Sequence, residues 1–147
     1  MYDVDLFSKL LSLEHPWYIP AVHVDEQKRL IYIFIDFKDE AHFSCPICGE
    51  SCSRYDKRTR KWRHLDTCDF KTYITAMVPR VNCSNHGCHS LMVDWANPRS
   101  RFTTSFEERV AEFSERYPIA SLSRKFAISW TAVNNIVKRL AQQPNFG

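Results

Sequence analysis

The sequence predicts an α+β chain, β-rich in front and helical behind, and three observations carry that expectation. Segments rich in β-branched and aromatic residues alternate apolar and polar positions as far as Val81, which is the two-residue period of a half-buried strand. Two short turns, Cys45 to Gly49 and Cys83 to Gly87, interrupt this region. Beyond Pro98 the apolar spacing changes to three and four, the period of an amphipathic helix.

Taken in order, residues 5–13 place apolar side chains at helical spacing, and a short helix or turn is expected before Pro16. Ile19 to Val24 and Leu30 to Phe37 read as two strands, with the polar stretch Asp25 to Arg29 as their hairpin connection. Phe70, Thr72, Ile74, Ala76 and Val78 fall on one face of a later strand, and Asp66 to Asp69 is the turn of a second hairpin. The helical part carries its own punctuation. Thr104 or Ser105, with Glu107 or Glu108 three residues on, reads as a capping box opening a helix from Phe106 to Arg116. Pro118 stops it and suits the first turn of the next helix, Ile119 to Phe126. After the tight turn Ala127 to Ser129, a third helix runs from Trp130 to Ala141 with Val133, Ile136, Val137 and Leu140 as its buried stripe. Three segments follow: an N-terminal hairpin segment 1–43, a cysteine-bearing module 44–97, and a helical domain 98–147.

Composition excludes several classes. A content of 44% hydrophobic and 25% charged residues, with only 3 glycines, is that of a folded chain, not a disordered one. No apolar run approaches the roughly 20 residues that span a bilayer, and the acidic start, Tyr2-Asp3-Val4-Asp5, is unlike a secretory signal. A reducing, cytoplasmic compartment is therefore expected, where 6 cysteines are better read as metal ligands than as disulfides. The net charge of +3 is too small to imply a nucleic-acid partner by itself. Its distribution is more telling, because six of the ten residues from Arg54 to Arg63 are basic.

Cys45-Pro-Ile-Cys48-Gly49 has the form of a knuckle, two thiolates on a tight turn relieved by glycine. Cys83-Ser-Asn-His86-Gly87 repeats the spacing with an imidazole in the second ligand position. Tetrahedral zinc needs four such groups, so one Cys₃His ion is expected on Cys45, Cys48, Cys83 and His86, with Cys88 as the alternative fourth ligand. Four protein ligands leave no position for water, which makes the metal structural. A lone C-x-x-C is as often core as ligand, and it is the second spaced knuckle that tips the balance. Cys52 and Cys68 read as small buried residues, and His64 and His89 as bystanders.

The last two helices have the proportions of a helix-turn-helix. On the outward face of the final helix stand Trp130, Thr131, Asn134, Asn135 and Lys138, followed by Arg139. Asn pairs bidentately with adenine, Thr meets a thymine methyl, and Lys and Arg hold phosphate. Arg58, Arg60 and Arg63 around Trp62 are candidate phosphate contacts, and Arg99 and Arg101 resemble an arm for the minor groove. A solvated helix in an ordinary bundle is the plain alternative.

In sequence and in order, Cys45-Pro-Ile-Cys48-Gly49, Trp62-Arg-His-Leu-Asp66, Pro79-Arg-Val-Asn-Cys83, Trp95-Ala, Arg101-Phe-Thr-Thr-Ser-Phe106-Glu107 and Ile128-Ser-Trp130 resemble the N-terminal region of ISL-three-group insertion-sequence transposases. The resemblance implies a zinc-binding module, a helix-turn-helix, and binding of double-stranded DNA at the terminal inverted repeats of a mobile element. It also implies strand cleavage by a separate or downstream RNase H-like domain, so this chain is not expected to be an enzyme by itself. Glu107, Glu108, Glu112 and Glu115 read as a capped, solvated helix face and not a two-metal centre. A bacterial cytoplasmic, nucleoid-associated protein follows, with no membrane partner and homodimerisation open. A stand-alone zinc-containing transcription regulator and a zinc-stabilised RNA or protein adaptor are the alternatives.

Overall fold

The computed structural model describes residues 4–38 and 42–141. A short helix α1 (Val4–Leu10) precedes the hairpin of β1 (Trp17–Asp25) and β2 (Leu30–Phe37). Then come β3 (Phe43–Ser44), the long strands β4 (Ser51–Thr67) and β5 (Phe70–Cys83), and β6 (Gly87–Ser90). Helices α2 (Thr104–Ser114), α3 (Ile119–Phe126) and α4 (Trp130–Ala141) complete the described chain.

The strands form one sheet in the order β1-β2-β5-β4-β3, with β6 also paired to β5. The two hairpins meet through parallel pairing of β2 with β5, from Leu30 opposite Lys71 to Ile35 opposite Ala76. This join is not written in local sequence. It places the first hairpin and the cysteine-bearing strands in one sheet. The β4–β5 connection turns on Cys68 and Asp69, both at positive φ (50° and 65°) between the paired Thr67 and Phe70, as a two-residue hairpin turn requires. Cys68 is accordingly exposed and not a small buried residue; Cys52 is half-buried.

Alternation gives the sheet one covered face. Ile31, Ile33 and Ile35 from β2 and Ile74, Ala76 and Val78 from β5 are buried there, with α1 side chains and Trp95 packed against them. Trp62, fully buried, meets Trp95 edge-on at 5.6 Å, and Trp95 meets Trp17 at 5.2 Å. A second core holds α2, α3 and α4 together around Phe106, Val110, Leu122, Phe126, Val133, Ile136 and Leu140. A third, of Phe37, Phe43 and Val81, underlies the cysteine-bearing end.

The cap of helix α2 lies one residue before Thr104 and two before Ser105, the two caps expected from sequence. Thr103 is its N-cap, accepting from the Phe106 amide at 3.2 Å, because residues 101–103 are already fixed by the sheet. The Arg63 amide donates to the Arg101 carbonyl (2.8 Å) and the Thr103 amide to the Arg63 carbonyl (3.0 Å), a short parallel bridge onto β4. The helical domain is thus joined to the sheet by backbone hydrogen bonds and not by a free linker. Between α3 and α4, Ala127 takes a left-handed conformation (φ 55°), and Ser129 caps α4 by accepting from the Ala132 amide at 3.0 Å.

Candidate metal centre and nucleic-acid interface

The knuckles form because glycine closes each turn: Gly49 and Gly87 sit at φ 77° and 75°, where a side chain is disfavoured. The Gly49 amide returns to the Cys45 carbonyl (2.8 Å) and the Ile47 amide points at the Cys45 sulfur (3.4 Å). Strands β3, β4 and β5 then bring the first knuckle beside the second.

Cys45, Cys48, Cys83 and His86 converge with their ligand atoms all within 4.8 Å of one another. Zinc bonds of about 2.3 Å to sulfur and about 2.0 Å to nitrogen, at tetrahedral angles, set ligand atoms roughly 3.8 Å (S to S) or 3.6 Å (S to N) apart. The separations here are 3.7 Å from Cys48 Sγ to Cys83 Sγ, 3.6 Å from Cys83 Sγ to His86 Nδ1 and 3.8 Å from Cys45 Sγ to His86 Nδ1. These three separations match tetrahedral zinc and the remaining pairs stay within 4.8 Å, so the four groups could hold a metal ion, with His86 facing the site through Nδ1. Cys88 lies outside the group, on β6 opposite Asn82. The His89 ring nitrogen contacts the His86 carbonyl at 2.6 Å.

Thiol acidities reflect the crowding. The Asn85 backbone amide, helped by the His86 ring, holds Cys83 down at about 6, which favours the thiolate. Cys48 is pushed up to about 11: the Glu50 backbone amide pulls it down, but desolvation and the Cys83 and Cys45 sulfurs outweigh that pull. Adjacent thiolates repel without a cation between them, and a bound divalent ion reverses that preference.

The basic residues predicted to contact DNA divide into two sets. Arg99 and Arg101 are exposed and line an open cleft of 490 Å³ together with Thr131, Asn135 and Arg139 of α4. The arm and the outward face of the last helix, adjacent in neither sequence nor secondary structure, are thus brought to one place. Trp130, 55% exposed, and Lys138 stand free on α4, with Asn134 half-buried. Arg58 is exposed on β4.

Arg63, Arg60 and Arg139 are committed elsewhere. Arg63 is only 6% exposed and donates to the Phe126 carbonyl (3.0 Å) and Asp66 (2.8 Å), with its guanidinium 5.1 Å from the Phe106 ring centre. It clamps the helical domain to β4, because strand alternation turns it to the face opposite Trp62. Arg60 lies over the Trp62 ring at 4.9 Å and donates to the Pro98 carbonyl. Arg139 borders the cleft but donates to Glu107 at 2.8 Å. Glu107 is wholly buried, also accepts from Ser100 Oγ (2.6 Å), and so belongs to no solvated helix face. No local pattern signals this contact, which spans 32 residues. His64 was likewise missed: its Nδ1 lies 2.7 Å from Thr103 Oγ1, and burial pulls its pKa down to about 4.

Comparison with known proteins accords with this geometry. Residues 41–88 match the zinc-finger of transposase IS204/IS1001/IS1096/IS1165, and residues 91–141 match the helix-turn-helix domain of transposase family ISL3. Over 146 residues the chain is 33% identical to the transposase for insertion sequence element IS1557 of Mycobacterium tuberculosis, in strain CDC 1551 / Oshkosh and equally in strain ATCC 25618 / H37Rv. The alignment covers 95% of this chain and 33% of each relative, so the chain spans about a third of their length. No solved structure matches it. Residues 41–88 and 91–141 thus carry, in that order, the zinc finger and the helix-turn-helix domain of ISL3-family transposases.

Proposed function

We propose that this chain is the sequence-reading, non-catalytic part of a transposase, which binds the terminal inverted repeats of a mobile element in the cytoplasm. Residues 98–147 act as the duplex reader and residues 44–97 as a module built on one structural zinc ion held by Cys45, Cys48, Cys83 and His86. The carrying observation is the cleft in which Arg99 and Arg101 face Thr131 and Asn135. A helix in the major groove with a basic arm in the neighbouring minor groove needs that juxtaposition. In this reading Asn134 and Asn135 contact base edges, Thr131 and Trp130 contact methyl groups and sugar, and Lys138 and Arg58 hold phosphate. Arg63, Arg60 and Arg139 position the reader instead of touching DNA. Strand cleavage belongs to a catalytic domain of the same or another chain.

Selection from a random duplex pool tests the proposal. The enriched sequence is expected to recur as an inverted pair flanking the gene. Asn135→Ala should then cost about 1–3 kcal/mol on the enriched site and little on random duplex. Arg101→Ala should weaken all duplexes and flatten the salt dependence by about one phosphate contact. No enrichment, or an Asn135→Ala protein that still discriminates fully, would defeat it.

A further inference from the structure

The sheet face turned away from Ile33, Ile74 and Trp62 carries a row of aromatic rings. Strand register sets His23 beside Tyr32, Tyr32 beside Tyr73 and Tyr73 beside Arg63. The His23 and Tyr32 rings lie 6.3 Å apart and tilted by 24°, and the Tyr32 and Tyr73 rings 6.0 Å apart and tilted by 22°. The exposed Lys61 ammonium stands 4.6 Å from the Tyr73 ring centre and 5.4 Å from that of Tyr32. Phe34, 38% exposed, shares the face by alternation, as do Lys57 and Lys71. None of the hydrophobic clusters among the described residues includes these rings. The acid on this face of β2, Asp36, accepts from the Phe37 amide at the far end of the strand.

This face runs into the cleft at α4. Lys61, Tyr73, Arg101, Phe102 and Ile128 line a hollow of 370 Å³ in the corner between sheet and helices. Arg101, Phe102 and Ile128 also line the cleft containing Thr131 and Asn135. A strand of DNA leaving that cleft past Arg101 therefore meets lysine and aromatic rings next. Duplex DNA offers phosphates and groove edges but hides its base faces. Parallel rings flanked by ammonium groups are matched to bases whose faces are free, which stack on aromatics while cations track the backbone.

We propose that the Tyr32–Tyr73 face binds unpaired nucleotides of a DNA strand that continues from the duplex at α4, with bases stacked on the two tyrosines and phosphates held by Lys61 and Arg101. The assignment of the duplex to α4 is taken from the function proposed above; the stacking site itself stands on the sheet alone. Unpaired strand next to a bound element end is the form DNA takes where ends are opened or cut.

The test titrates the full chain, by fluorescence anisotropy, with labelled oligodeoxythymidine, a random-sequence duplex, and that duplex carrying an oligodeoxythymidine overhang. The overhang is expected to tighten binding, and oligodeoxythymidine alone to bind and quench tyrosine emission. Tyr73→Ala and Tyr32→Ala should each weaken the single strand roughly 5- to 100-fold while leaving the blunt duplex unchanged, and Tyr73→Phe should restore binding. Lys61→Glu, at an exposed position, gives the same loss without disturbing packing and decides the matter if an alanine variant unfolds. Asn135→Ala separates the two proposals, since it should weaken duplex only. Single-strand binding without duplex binding sinks the α4 reading and keeps this one. Equal affinity for blunt and overhang duplexes, or Lys61→Glu and folded tyrosine variants that bind oligodeoxythymidine like the parent, overturns it.

Discussion

His64 and Arg63, neighbours on β4, turn to opposite faces and both fasten the helical domain to the sheet. Arg63 reaches the α3 C-terminal carbonyl of Phe126, where a cation also meets the negative end of the helix dipole. His64 sits against the Thr103 cap and stays neutral, because burial opposes its charged form. Its folded-state pKa of about 4 lies below the ordinary 6.5, so the unfolded chain takes up the proton first and stability falls as pH drops through that interval. Between pH 7 and pH 5 the expected loss is at most about 2 kcal/mol. His64→Gln should remove this part of the slope while leaving acid effects on the thiolates in place. Urea unfolding of both proteins at the two pH values checks it, and identical pH slopes would show that His64 is not buried neutral.

Sequence periodicity found the helices where each element's own pattern decides its fate. Helices α3 and α4 begin and end where Pro118, Ser129 and the buried stripe of α4 place them. Both knuckle glycines take the positive φ that their position after the second ligand implies. What was illegible needed partners from distant elements. The run from Arg54 to Arg63 reads as one basic patch. As part of a long strand it sends Arg63 under the helices, Arg60 over Trp62 and Arg58 to solvent. Glu107 looks like a helix-surface acid until Arg139 and Ser100 arrive from elsewhere. The parallel β2–β5 join has no local signature, since period-two alternation says which face is buried but not which strand is the neighbour. At this scale the cap of α4 yields a prediction. Ser129→Ala removes the acceptor of the Ala132 amide, which should cost about 1 kcal/mol and speed hydrogen exchange in the first turn of α4. Duplex affinity should fall with an unchanged salt slope, because order is lost and no phosphate contact. An altered slope would instead place Ser129 on the DNA backbone.

The molecule as a whole is organised along β4 and β5, with the metal site at one end and the helical domain at the other. Along β4, Arg63, where the helices dock, lies ten positions beyond Ser53, which pairs with Asn82 beside the second knuckle. At roughly 3.3 Å per residue that is about 33 Å. Each end also has its own apolar cluster, three buried residues beneath the knuckles and eight among the helices, while the main sheet core and its tryptophans lie between. So small a cluster cannot hold two knuckles closed against the repulsion of their ligands, and that end should depend on zinc. The helical end should not. Removal of the ion with a strong chelator is therefore expected to release amide protection around residues 43–56 and 79–90 and to lower the first thermal transition. The Phe106 cluster and the affinity for a selected duplex should stay near their starting values, because the Arg63 and His64 contacts lie beyond the reach of the disturbance. Hydrogen exchange and anisotropy on the same chelated sample read both ends together. Loss of duplex affinity in step with the metal would mean that the zinc finger itself rests on DNA, and that the two ends of the β4–β5 ribbon grip one duplex across its length.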